Sequence, residues 1–156
     1  RDWSSDVCSS DLALNLAKAA GCRVVVTSSS DDKLQRAAAL GADVGVNYAT
    51  AGDEWPAAVK EANGGGVDVV IDSVGSTWAG SIDACAPGGR VVVFGGTGGA
   101  KVELGVRPVT LGQVGLLGTT MGSPAEFAQL LAKLRLSNAT LSEPRRELSV
   151  DSHSCD

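Results

Sequence analysis

ALNLAKAAGCRVVVTSSSDDKLQRAAALGADVGVNY, residues 13–48, decides the fold. Residues 12–20 (LALNLAKAA) are rich in helix-forming alanine and leucine, and Gly21 stands where a helix closes on a left-handed residue. Residues 23–27 (RVVVT) follow as a predicted strand, apolar at consecutive positions because a parallel sheet is covered on both faces. Ser30 is a candidate cap for the next helix, whose first turn carries Asp31 and Asp32 where the helix dipole favours negative charge. That helix is predicted to run through Leu40 and stop at Gly41, with a short strand at residues 44–46. Helix and strand in alternation define an α/β fold with a parallel sheet.

The rhythm repeats downstream. Residues 53–62 read as a helix with Pro56 in its first turn, where a missing N–H does no harm. Residues 67–72 (VDVVID) read as a strand, residues 77–85 as a short helix, and Pro87-Gly88-Gly89 as a turn into a strand at residues 90–94 (RVVVF). Residues 95–100 read as loop and residues 114–119 as a further strand. Ser123-Pro124-Ala125-Glu126 has the form of a capping box with proline at the first helical position, and Leu130, Leu131 and Leu134 give the helix that follows an apolar face.

Composition bounds the function. The chain has 156 residues, 44% hydrophobic and 20% charged, which suits a globular α/β unit rather than a disordered segment. Thirteen basic and eighteen acidic side chains leave a net charge of −5, and nucleic acid is not an expected partner because counterion release needs a basic face. No apolar run approaches the roughly 20 residues of a membrane helix and no signal peptide opens the chain, so no membrane partner and a cytoplasmic location are expected. Cys8, Cys22, Cys85 and Cys155 are too scattered to suggest a metal cluster, and idle thiols are expected in preference to disulfides. The single histidine, His153, is not expected to act as ligand or base.

In a doubly wound sheet the ligand lies beyond the carboxyl ends of the strands. The first such tip reads Thr27-Ser28-Ser29-Ser30, and the nearest cation is Lys33. A site selecting NAD usually has an acidic side chain here for the adenosine ribose, whereas hydroxyls with an ammonium suit a 2′-phosphate. Asp31 and Asp32 count against the phosphate, and the serines have the alternative role of capping the helix.

The ordered set of residues 13–48, VDVVIDSVG, APGGRVVVFGGTGG and the strand leading into TTMGSPAEF resembles the cofactor-binding domain of the medium-chain dehydrogenase/reductase superfamily, in particular its quinone oxidoreductase-like and zinc-type alcohol dehydrogenase-like members. The resemblance covers about four-fifths of the chain, from Leu12 to about Leu131, and implies a Rossmann-type unit. It implies that Lys33 and Tyr48 approach the 2′-phosphate of NADPH, with the hydroxyls of Ser28 and Ser29 in the same pocket. It further implies that Val74 and Gly75 run along the adenosine and nicotinamide ribose, that Phe94, Gly95 and Thr97 form the loop beneath the nicotinamide side, and that Thr119 and Thr120 end the last strand. For Tyr48 the alternative is a half-buried aromatic with a solvated hydroxyl, and Gly98 and Gly99 read as simple turn formers. Family dimers join through a sheet edge that here would lie between Val114 and Thr119.

The departures from the family pattern shape the remaining expectations. The family's first strand and glycine-rich turn, which hold the pyrophosphate, belong immediately before Leu12. In their place stands RDWSSDVCSSD, residues 1–11, without strand or helix period; it can be written in codons that resemble a short-read sequencing adapter and is expected to be non-native. Residues 12–142 are therefore expected to be a partial dinucleotide-binding domain, and residues 143–156 a doubtful or flexible tail. By the family's strand order the missing strand lies between those at residues 23–27 and 67–72, so two inner edges should stay unpaired or those strands should pair directly, and the isolated chain should fold poorly. The family's catalytic domain, with most substrate contacts and any zinc ligands, is not expected among these residues, and no catalytic or metal-binding residue is assigned.

The leading expectation is a fragment of an NADP-dependent oxidoreductase, itself inactive, whose parent moves hydride between the nicotinamide and a carbonyl, quinone or activated alkene. The alternatives are a fragment of an NAD-dependent zinc alcohol dehydrogenase and a non-catalytic nucleotide-binding or structural module. A short-chain dehydrogenase would need Tyr-x-x-x-Lys, but position 52, four beyond Tyr48, is Gly52.

Overall fold

The computed structural model describes residues 9–99 and 101–136. The expectations for His153, Cys8, Cys155, the tail from Glu143 and most of the first eleven residues lie outside the described residues.

The first helix, α1 (Ser9–Ala19), begins inside the segment expected to be non-native, in which the sequence shows no helix period; Asp11 falls in its first turn, where negative charge suits the dipole. It closes as expected on Gly21, with φ at +78° and the Gly21 N–H donating to the Lys18 carbonyl at 2.9 Å. Strand β1 (Val25–Ser28), helix α2 (Asp31–Ala39) and strand β2 (Val44–Asn47) follow the predicted order. The Lys18 ammonium lies 2.7 Å from the Asp43 carboxylate, which also accepts the Val24 N–H, tying α1 to the start of both strands.

A short helix α3 (Tyr48–Ala51) and a 3-10 turn (Gly52–Glu54) lead into α4 (Trp55–Asn63), so the helix expected from residue 53 starts two residues late, with Pro56 near its start. Next come β3 (Val67–Asp72), α5 (Trp78–Ala84) and β4 (Cys85–Val93). The Pro87-Gly88-Gly89 turn is drawn into β4 as an irregularity: Val67 pairs with Cys85, but Val69 pairs with Arg90. Helix α6 (Val106–Gly112) was not expected, because its valines, threonine and Pro108 are weak helix formers. Strand β5 (Gly115–Gly118) and helix α7 (Pro124–Leu136) complete the order. The capping box of α7 forms in both directions, with the Ser123 N–H on the Glu126 carboxylate at 2.7 Å and the Glu126 N–H on the Ser123 hydroxyl at 3.3 Å. Leu131 is nevertheless exposed, as is Phe127, and the side chain of Leu134 lies outside the described residues.

All pairings are parallel, as expected, but the strands form two sheets: β1–β2, and β3–β4–β5 with β4 central. Of the two expected outcomes, the unpaired one is found among the described residues: β1 and β3 do not pair. Ile71 is 50% exposed beside a β4 whose Val91 is fully buried, so one face of the larger sheet is covered and the other open. Helix α4 joins the halves: Val59 packs with Val46 and Ala84, and against the partly buried Val25, Val44 and Val67. A second core gathers Ile82, Cys85, Val91, Val93 and Val114 beneath Trp78, Leu104 and Val109.

Candidate functional site

The parallel register brings the candidate residues to the carboxyl ends of the strands in two groups. Ser28 pairs with Asn47, so the tip of β1 lies beside Tyr48 and the start of α2. Lys33 and Ser29 are exposed there, Tyr48 is 45% exposed, and among the described residues the Lys33 ammonium makes no ion pair. The serine roles differ from expectation. Ser30 occupies the cap position of α2 but its side chain makes no capping bond; its N–H donates instead to the Ser28 hydroxyl at 3.2 Å. Ser28 is therefore engaged locally, a competition typical of serine near a helix start. The Asp31 carboxylate accepts the Asn47 side-chain amide at 2.7 Å, and the same Asn47 caps α3 by accepting the Ala49 N–H.

The second group lies at the ends of β3, β4 and β5. Backbone bonds hold it together: the Phe94 N–H donates to the Asp72 carbonyl, the Thr119 N–H to the Val93 carbonyl, and the Gly98 N–H to the Val74 carbonyl. Gly75, with φ at +88°, has no room for a side chain against the Gly95 carbonyl, and Gly95 has none against the Ser73 carbonyl. Gly98, expected as a plain turn former, also packs tightly, against Ser76. Gly75, Trp78, Gly95, Gly96, Gly99 and Val102 line a cavity of about 340 Å³. Phe94, Thr97, Thr119 and Thr120 are exposed around the same strand ends. The two groups belong to different sheets, and among the described residues no strand connects them.

Two residues of this region were not foreseen. Asp72 is buried and accepts four hydrogen bonds, from the Val74 and Gly75 N–H groups and the Thr77 and Ser81 hydroxyls. Burial pushes its pKa up, but the bonds from Gly75, Thr77, Val74 and Ser81 outweigh burial and hold the carboxyl below its usual range. The signal was present: an acid followed at once by a turn with hydroxyls is the pattern of an Asx turn. The Trp78 indole N–H is buried without a hydrogen-bond partner. Cys22 and Cys85 are free thiols, and burial pushes the Cys85 thiol up, which leaves it protonated and unreactive.

Among the described residues no cluster of three or more His, Cys, Asp or Glu side chains could hold a metal ion, so no step is assigned to zinc. Nor is any helix among them long and apolar enough to cross a membrane.

A strand-end cleft on a parallel α/β sheet is the ligand position of dinucleotide-binding folds. The zinc-binding dehydrogenase family model matches residues 10–135, and the chain belongs to this family, within the medium-chain dehydrogenase/reductase superfamily. It is 37% identical over 117 residues to a zinc-type alcohol dehydrogenase-like protein of Leptosphaeria maculans, a match spanning 72% of this chain and 32% of that protein. Its fold is similar to a solved NAD-dependent alcohol dehydrogenase, with a TM-score of 0.75 and 37% identity over 86% of this chain and 39% of the other. The quinone oxidoreductase of Thermus thermophilus, solved also in complex with NADPH, matches with a TM-score of 0.59 and 25% identity over 83% of this chain and 40% of that one. The chain thus spans between about a third and two fifths of the length of these relatives.

Proposed function

We propose that this chain is the dinucleotide-binding unit of an NADP(H)-dependent oxidoreductase acting on a small molecule that carries a carbonyl, a quinone or an activated alkene. A bound nicotinamide would supply the hydride chemistry. The residues of this chain bind and orient. The Lys33 ammonium and Ser29 hydroxyl meet the 2′-phosphate, with Tyr48 and Ser28 beside them. Val74 and Gly75 run along the riboses, and Phe94, Gly95 and Thr97 border the nicotinamide side near Thr119 and Thr120. None of these is assigned an acid, base or nucleophile role.

The observation that carries the reading is the exposed, unpaired Lys33 ammonium at a strand tip flanked by hydroxyls, where an anion is the natural partner. The glycine-walled cavity fits a cofactor too, since its backbone walls allow close approach. The test is a titration with NADPH and NADH, followed by quenching of tryptophan emission. NADPH should bind about tenfold tighter, the worth of one charge-assisted hydrogen bond, and Lys33→Ala should abolish the preference. Equal or tighter NADH binding, or no effect of Lys33→Ala, would overturn the choice of cofactor.

One observation favours NAD instead: Asp31 stands at the same tip with its carboxylate fixed by Asn47, where an acid could take ribose hydroxyls. Under that reading Asp31→Ala weakens NADH and Lys33→Ala does nothing. A purely structural module joined to a second copy through the β5 edge would bind neither nucleotide, whereas a non-catalytic nucleotide-binding module would bind without supporting hydride transfer.

A further inference from the structure

Asp72 is 4% exposed, and its charge is met wholly by oriented donors. Its Oδ1 accepts the Val74 N–H at 3.0 Å and the Gly75 N–H at 2.9 Å, while Oδ2 accepts the Thr77 hydroxyl at 2.7 Å and the Ser81 hydroxyl at 3.1 Å. We propose that Asp72 is a positioning residue, which presents the Val74–Gly75 turn to the cofactor ribose and so shapes the cavity wall that Gly75 forms. This rests on the dinucleotide reading above.

Two successive N–H groups on one oxygen fix the dihedrals of the turn, and the other oxygen anchors that turn to α5. The opposite side of the turn is held as well, by the Gly98 N–H on the Val74 carbonyl at 2.9 Å. Any rotation of the turn would therefore move Gly75 against Gly95, and both line the cavity. The side chain of Asp72 reaches the cofactor only through the backbone it orders.

The test measures NADPH and NADH dissociation constants and binding stoichiometry in the wild type, Asp72→Ala, Asp72→Ser and Asp72→Asn. Asparagine keeps an oxygen for the two N–H groups and can donate to the hydroxyls; alanine keeps neither oxygen, and serine is too short. Asp72→Ala and Asp72→Ser should raise the NADPH dissociation constant about tenfold or more at unchanged stoichiometry, and Asp72→Asn should recover to within about threefold of wild type. The ratio of NADPH to NADH affinity should stay constant throughout, because it is set at Lys33. Unchanged affinity in Asp72→Ala, or lost stoichiometry without a change in affinity, would overturn the proposal. So would failure of both the alanine and serine variants to fold, since Asp72 would then serve the fold as a whole. If the wild type binds neither nucleotide, the dinucleotide reading falls and this proposal with it; if only the variants fail the expectation, the reading stands.

Discussion

A Cβ placed on Gly75 would lie 2.5 Å from the carbonyl oxygen of Gly95, so the turn after β3 and the exit of β4 touch backbone to backbone. The contact is possible only without a side chain, and the +88° φ of Gly75 adds a conformation that L-residues resist. Gly75→Ala should lower stability by about 1–3 kcal/mol, from strain and displacement together. Urea unfolding would read this as a lower midpoint at unchanged slope. An unshifted midpoint would mean that the turn relaxes freely and that its close approach has no energetic consequence.

Asp72 gives the fold a defined acid limb. Its pKa is depressed in the folded chain, so its contribution is present above the ordinary value of 3.8 and is lost as pH falls from there through the folded value. The exposed Asp43 and Glu126 are depressed too, Asp43 chiefly by the bond from Lys18 and Glu126 by the Ser123 N–H, and they act in the same window. Asp72→Asn, which does not titrate, should therefore flatten the loss of stability below about pH 4 without abolishing it. Thermal melts between pH 2 and 5, roughly the span of these carboxyls, provide the comparison. Superimposable acid limbs in the two proteins would contradict the assignment.

The parallel α/β architecture is readable because RVVVT, VDVVID and RVVVF are rich in consecutive β-branched residues, although the larger sheet is covered on one face only and leaves Val69 and Ile71 exposed on the other. The strand-end rule points to Ser28, Tyr48, Val74, Gly75, Phe94 and Thr119, which lie at or just beyond carboxyl ends in two groups, with Lys33 in the first turn of α2 beside the first group. Helix α6 escapes because its stability comes from Val109 packing under the larger sheet rather than from propensity. The engagement of Ser28 by the Ser30 N–H escapes because local side-chain bonds compete within a few residues, at a scale that composition does not resolve. In the sequence Asp72 offers the local pattern of an Asx turn; only the fold brings Ser81, nine residues on, back to its carboxylate. Which of two outcomes the inner edges take is not legible in the sequence: α4 packs against both sheets while β1 and β3 remain apart.

Trp78 combines a half-buried ring with a buried N–H that has no partner. An unsatisfied buried donor costs about 1–3 kcal/mol, which offsets much of what the extra ring area contributes. Trp78→Phe should thus change stability by less than about 1 kcal/mol, while Trp78→Ala, which removes the ring packed against the core cluster that contains Val91, should cost about 2–4 kcal/mol. Chemical denaturation of the two variants distinguishes the donor from the ring. A large loss in Trp78→Phe would show that the N–H is bonded in solution, for instance to an ordered water.

Val91 and Ile71 sit on adjacent paired strands yet differ in burial, 0% against 50% exposed. Val91 lies in the core with Ile82, Val93 and Val114, and truncating it removes two methyl groups and leaves a void. Val91→Ala should cost about 2–3 kcal/mol. Ile71 faces the uncovered side of the same sheet, so Ile71→Thr should cost less than about 0.5 kcal/mol, and a β-branched residue keeps the strand's rotamer preference. Ile71→Thr should also raise solubility, because an exposed apolar face beside a β3 edge that is unpaired among the described residues favours aggregation. Paired denaturation curves and light scattering at increasing concentration test both statements. If Ile71→Thr proved as costly as Val91→Ala, the open side of β3 would have to be covered in solution, by α7 or by a second chain.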